Sequence, residues 1–395
     1  MTRASLASIV NGASIRMIRR GVLIVLAVGC AGSSDVTTPP LVKPSDLLVW
    51  RNSVVKGETV PVFDSTAVYN LQQAAHVVSA VNRQTGALLW STVVPTSRPD
   101  FDGYGLTIAG GVLVVGDLDV FGLDRATGAV LWKFSPTVGQ YPGFSSLTSD
   151  GTTVFCGSTT GHVYAVDGAT GKQLWVTSFL PQFTQVWQPI LDNGVVYVGF
   201  TQLLAGEDFA LSGAAAFDAK SGAILWLTFA PQPTPTTSIY NDHGVAVTPT
   251  LVVIGSNYSV FGLDRATGKL LHTVNGSVFA DAALTLKVVR YTGSLVVVGN
   301  GAPGTLTALD PNDLHMVWRA FGDGGIFALG SDESRTYVAR VGAFDVYRTS
   351  DGVRLWRLLG SDVGAQNEFY LAAPAFDATR IYLPGTKGVY AFKKQ

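Results

Sequence analysis

Two cysteines, Cys30 and Cys156, in 395 residues are too few for a disulfide framework or a four-cysteine zinc site. The five histidines show no H-x-x-x-H or H-E-x-x-H spacing, so no metal centre is readable along the chain. There is no G-x-S-x-G elbow, no P-loop and no C-x-x-C-H haem attachment, which removes three routes to catalysis. Charge is scarce too. With 27 Lys and Arg against 28 Asp and Glu, the chain has neither the basic excess of a nucleic-acid binder nor the net charge of a disordered one. No run of 18 uninterrupted apolar residues occurs, so no segment reads as a membrane-spanning helix.

The first residues read as an address. Arg16, Arg19 and Arg20 precede an apolar run, Gly21 to Val28, that is too short to span a bilayer and has the charged flank of a secretion signal. The run ends Leu26-Ala27-Val28-Gly29-Cys30, which resembles the lipobox of bacterial lipoproteins, in which the cysteine is lipidated and becomes the new N-terminus. The translation start is Met1 or Met17. Cleavage after residue 29 removes four arginines and no acid, leaving a formal charge of −5. Residues 30–45, with Pro39, Pro40 and Pro44 and little to bury, are expected to be a flexible tether. Residues 46–395 then form the folded domain.

That domain repeats one unit. Seven ten-residue copies run Val81 to Trp90, Leu123 to Trp132, Val166 to Trp175, Phe217 to Trp226, Leu263 to His272, Leu309 to Trp318 and Tyr347 to Trp356. Asn82, Asp124, Asp167, Asp218, Asp264 and Asp310 supply a carboxylate or amide that caps an Asx turn. Gly86, Gly128, Gly171, Gly222, Gly268 and Gly352 supply the left-handed position. The departures are Arg348 for the acid, Asp313 where Gly is expected, and His272 for Trp. Apolar alternation upstream of each turn adds further short strands, about four per repeat. The last strand, Gly388 to Lys393, lacks a following turn, and Asp46 to Trp50 is a strand without a preceding one, so together they complete an eighth repeat. Markers at Trp50, Trp90, Trp132, Trp175, Trp226, His272, Trp318 and Trp356 imply an all-β, eight-bladed β-propeller of four-stranded antiparallel blades, monomeric and closed by pairing of its two ends.

The repeat resembles the tryptophan-docking motif of the pyrroloquinoline-quinone (PQQ) family from about residue 46 to 395. The resemblance implies one of two branches: quinoprotein dehydrogenases, or the outer-membrane assembly lipoprotein BamB, which is a scaffold. The dehydrogenase branch implies PQQ, calcium, a vicinal cysteine pair and Glu and Asn ligands. Here the cysteines lie 126 positions apart and only Glu58, Glu207, Glu333 and Glu368 exist, so no catalytic residue, no metal site and no cofactor is assigned. Cys156 reads as a small buried apolar residue. The expected function is a non-enzymatic scaffold, lipid-anchored at the outer membrane and facing the periplasm, with a protein partner from the β-barrel assembly machinery. The alternatives are another extracytoplasmic protein- or glycan-binding lipoprotein, or a PQQ-dependent dehydrogenase.

The binding surface is expected on the face carrying the connections between blades and the second-to-third-strand loops, opposite the short uniform turns. The 51-residue interval from Trp175 to Trp226 adds Phe183 and Trp187 in one loop and Leu203, Leu204 and Phe209 in another. The next connection adds Tyr240, Asp242 and His243. Apolar anchors with an acidic rim suit a protein partner. The competing arrangement has Trp187 and Phe209 folding back to plug the channel or cap their own blade. Asp117 and Asp119 are expected in a solvated turn.

Overall fold

A computed structural model describes residues 42–394 except 96–104, 137–143, 145–146, 181–183, 204–209, 233–243, 258, 276–286, 301–303, 323 and 341. The chain divides into residues 1–40 and 41–395, and the propeller is the second unit. Its eight sheets are numbered as blades 1 to 8: residues 62–93, 105–134, 148–178, 184–229, 245–275, 287–320, 326–359, and 375–393 with 48–52. In blades 1 to 7 strands follow chain order from the axis outward, and in blade 8 the chain's first strand, Leu48–Asn52, is outermost; pairing is antiparallel throughout. The middle strands are rich in β-branched and aromatic residues, such as Thr153–Gly157 and His162–Asp167, and are buried on both faces between neighbouring blades. One interface joins Val288, Val297, Leu306 and Ala308 of blade 6 to Ile326, Leu329, Val338 and Tyr347 of blade 7. Each such aliphatic side chain contributes about 1.5–3 kcal/mol on burial. Outer strands alternate, as in Leu88–Val93, because only one of their faces meets a neighbour.

Blade 8 closes the ring. Leu48–Asn52 pairs with Gly388–Lys393, with Leu48 opposite Phe392 and Asn52 opposite Val389. Asp46 and Leu47, expected to open that strand, instead belong to a one-turn helix, Pro44–Leu47, whose first position is the proline that such a turn tolerates.

Tryptophans dock most blades onto the next. The indole N–H groups of Trp50, Trp90, Trp175, Trp226 and Trp318 donate at 2.9 to 3.0 Å to the carbonyls of Arg83, Arg125, Ala219, Arg265 and Thr349 in the following blade's turn. The ring covers the turn glycine. A Cβ on Gly86, Gly128, Gly171, Gly222, Gly268 or Gly352 would stand within 2.7 Å of the preceding blade's indole, and their φ of 71–74° would strain any side chain. The acid's role is as expected: Asp124 accepts the Ala126 and Thr127 amides and the Thr127 hydroxyl at 2.8 to 3.0 Å.

The sixth turn departs differently from expectation. Leu314, not Asp313, holds the left-handed position, with φ 62° and its amide bonded to the Asp310 carbonyl at 3.0 Å. Its side chain is buried and packs with Leu251 and Val253 of blade 5. His272 leaves out the indole that elsewhere fills this space, and the leucine occupies it: a Cβ on Gly262 would meet Leu314 Cδ1 at 2.9 Å. The two departures answer each other.

A second set of turns joins the first and second strands on the same face. Asp64, Asp150, Asp332 and Asp377 each accept two backbone amides and a Ser or Thr hydroxyl there. Three of these acids also meet a cation from the next blade, Arg125 to Asp64 at 3.0 Å, Lys394 to Asp332 at 2.7 Å, and Arg83 to Asp377. Arg265 pairs likewise with Asp192. Blade 2 has Gly110 and Gly111 in that turn, and blade 3 answers with Gly168 where those arginines stand. The backbones come so close that a Cβ on Gly110 would sit 2.2 Å from the Ala169 nitrogen.

Candidate functional site

A cavity of about 570 Å³ lies on the propeller axis, in the size range of small-molecule pockets. Its wall comes mainly from inner strands: Gly105 to Thr107 of blade 2, Thr148 and Ser149 of blade 3, Gln185, Trp187 and Gln188 of blade 4, Arg290 of blade 6 and Phe327 of blade 7. Gln73, at the loop between the second and third strands of blade 1, puts the cavity toward the long-loop face.

Blade 4 shapes this end. Its inner strand is split into Thr184–Val186 and Ile190–Asp192, and Trp187, Gln188 and Pro189 lie in the break. Proline has no N–H for a ladder, which accounts for the interruption. Trp187 donates its backbone N–H to Gly199 at 2.9 Å, and its indole N–H is buried without an acceptor among the described residues. The expected loop residue is therefore part of the cavity wall. The next two strands, Val195–Leu203 and Ala210–Asp218, pair through nine rungs where the other blades have four to six. At ~3.4 Å per residue this hairpin is about 14 Å longer than those of blades 3 and 5, which have five rungs each. Half-exposed Leu203 ends it, so this residue, too, is on a strand rather than in a loop. Trp187 lies opposite Gly199, four residues before Leu203, a separation of about 14 Å along the strand, so the two do not form one patch. Phe183, Leu204, Phe209, Tyr240, Asp242, His243 and Cys30 lie outside the described residues.

Arg290 is the group that sequence reading missed. Its Nε donates to the Leu329 carbonyl at 3.2 Å and its Nη1 to the Val289 carbonyl at 3.0 Å, with no carboxylate partner among the described residues. Burial lowers its pKa, yet a guanidinium remains charged at any physiological pH, so the cavity carries a positive charge. Glu58 is the acid of the wall among the described residues, and its carboxylate already accepts the Gln73 amide at 2.7 Å. Calcium takes six to eight oxygens, several from carboxylates, and this donor set does not fit it. Cys156 is buried in blade 3 with its thiol pushed well up by desolvation, and has no vicinal cysteine.

The acids Asp117 and Asp119 are not in a solvated turn. Both are buried on the long-loop side of blade 2, where Asp117 meets His76 Nδ1 of blade 1 at 2.7 Å and Asp119 meets Lys133 at 2.7 Å. They brace loops rather than present free carboxylates. Among the described residues no helix is long and apolar enough to cross a membrane.

Residues 41–136 and 116–300 match the model of a family described as outer membrane protein assembly factor BamB. The chain belongs to this family. It superposes on the crystal structure of BamB from Moraxella catarrhalis with a TM-score of 0.65, at 16% identity, over 88% of this chain and 99% of that one. Curated relatives of this BamB-family chain include enzymes. It is 25% identical over 243 residues to the tetrathionate hydrolase of Acidithiobacillus ferrooxidans, covering 52% of this chain and 47% of the relative. It is 25% identical over 226 residues to the dehydrogenase subunit of the quinone-type alcohol dehydrogenase of Acetobacter aceti, covering 50% and 29%. The chain thus aligns with less than half the length of either.

Proposed function

We propose that this BamB-family chain is a non-enzymatic scaffold, anchored through lipidated Cys30 to the outer membrane and facing the periplasm, that holds a protein partner of the β-barrel assembly machinery on its long-loop face. The family match over residues 41–136 and 116–300 carries the reading. The lengthened blade 4 hairpin supports it, because half-exposed Leu203 offers an apolar contact on the long-loop side. So does the axial wall, where Glu58, the acid among the described lining residues, is already engaged by the Gln73 amide.

The test is mild-detergent purification of the tagged full-length protein from native membranes, with Cys30→Ala and Leu203→Asp as controls. Stoichiometric recovery of a β-barrel assembly subunit, reduced in Leu203→Asp, is the expected result. A different stoichiometric protein, or a glycan, would point to another extracytoplasmic binding role and end the assembly reading. A second reading, a PQQ-dependent dehydrogenase, is favoured by the quinone-dependent relative and by a cavity of ligand size that carries Arg290. Dye reduction with alcohols after adding quinone and calcium, absent in Arg290→Gln, would establish that reading in place of the scaffold.

A further inference from the structure

The seven Asx turns differ in charge at one place. Six contain a Lys or Arg within the six residues from the capping position onward. The sixth, Asp310-Pro311-Asn312-Asp313-Leu314-His315, contains none and gathers two acids and a histidine. Asp310 Oδ1 accepts the Asn312 amide at 2.8 Å and its side-chain N–H at 3.0 Å. Asp313 Oδ1 accepts the His315 amide at 3.0 Å and lies 2.6 Å from His315 Nδ1. One ligand atom from each of Asp310, Asp313 and His315 falls within 4.8 Å of the others.

The seventh turn is an internal control. It also has an acid at the fourth position, Asp351, but Arg348 faces it at 3.3 Å and Val353 stands where His315 does. In the first five turns that fourth position is Thr or Ser, whose hydroxyl is taken up by the capping residue. The sixth turn alone leaves two carboxylates and an imidazole together with no fixed cation of the turn to balance them. His272 of blade 5 is the further titratable group that acts on Asp313 across the junction.

We propose that the sixth turn binds a divalent cation of the zinc class through Asp310, Asp313 and His315, with water completing the shell. Imidazole with carboxylates is a donor set for zinc, nickel or copper, whereas calcium and magnesium sites are built of oxygen. Zinc bonds of about 2.0–2.2 Å bring tetrahedral ligand atoms to about 3.4 Å from one another. Asp313 and His315 are more than half exposed, so side-chain rotation alone closes the set. This is the junction where His272 leaves out the indole docking bond, and a bound cation would stiffen the turn there.

The experiment is calorimetric titration of the untagged, EDTA-treated protein with zinc chloride, repeated with cobalt chloride and read by visible absorption. One saturable site per chain is expected, weakened at least about tenfold in Asp313→Asn and His315→Gln and unchanged in Asp351→Asn of the seventh turn. The melting temperature of the metal-free variants should match the parent, since both side chains are exposed. Absence of saturable binding, or equal binding by parent and His315→Gln, overturns the site, and equal weakening by Asp351→Asn overturns it as well.

Discussion

Asp64 condenses the chemistry of the turns into one side chain. Burial pushes its pKa up, but the Thr66 and Ala67 amides and the Thr66 and Tyr69 hydroxyls more than offset this and hold it at about 2. Arg125 of the next blade adds a charge pair. A carboxyl depressed in the folded state stabilises fully above its unfolded value near 3.9, and that contribution is lost as pH falls toward about 2. Asp64→Asn should therefore lose about 1 kcal/mol at pH 7, after allowing for solvent screening, measured by urea denaturation. The gap from the parent should close between about pH 4 and pH 2; a gap independent of pH would remove the carboxylate from the explanation. Asp64 was not readable as such an acid. The capping residues of the long turns stand out because a tryptophan follows all but one of these turns at fixed distance, whereas Asp64, Asp332 and Asp377 sit in short D-x-Thr or D-x-Ser stretches common in any loop. Arg290 was hidden for a similar reason: an arginine in a short strand looks like any solvent-facing residue until the ring places it on the axis.

Within the elements, the junction of blades 5 and 6 offers the sharpest test of how the repeat works. Leu314 carries the strain of a left-handed backbone, about 1–2 kcal/mol, and fills the volume of the missing indole. Leu314→Gly relieves strain but empties the pocket, and His272→Trp brings an indole against the leucine. Each single change should destabilise, by about 1–3 kcal/mol. The double variant, which restores the ordinary pair, should recover at least half of the summed loss in a double-mutant cycle read by thermal unfolding. Additive losses would mean that the two positions are independent. The strand count and the identity of each outer strand were legible, since Asp, Gly and Trp recur with one spacing. The projection of Val195–Leu203 and the break at Pro189 were not: a 51-residue interval says how much chain is inserted, and only pairing says that the insertion lengthens two strands and turns Trp187 inward.

For the whole ring, the decisive strand is the first. Trp50 docks on the Arg83 carbonyl, Arg51 donates to Val363 at 2.6 Å, and Leu48 to Asn52 completes the outer edge of blade 8. A chain starting at Asp46 should keep the stability of the intact propeller. One starting at Val54 should lose at least about 3–5 kcal/mol, the range for removing a buried tryptophan alone, as judged by guanidinium unfolding. Equal midpoints would show that the ring does not depend on this closure. The same pairing has a temporal meaning. Leu48 and Phe392 are partners separated by 344 positions, so seven blades can form in the order in which they emerge while the eighth waits for the final strand. Until then the chain is an open arc with Gly388–Lys393 and blade 1 each missing a neighbour, and during that interval its unpaired strand edges are what a chaperone or a mispairing strand would find.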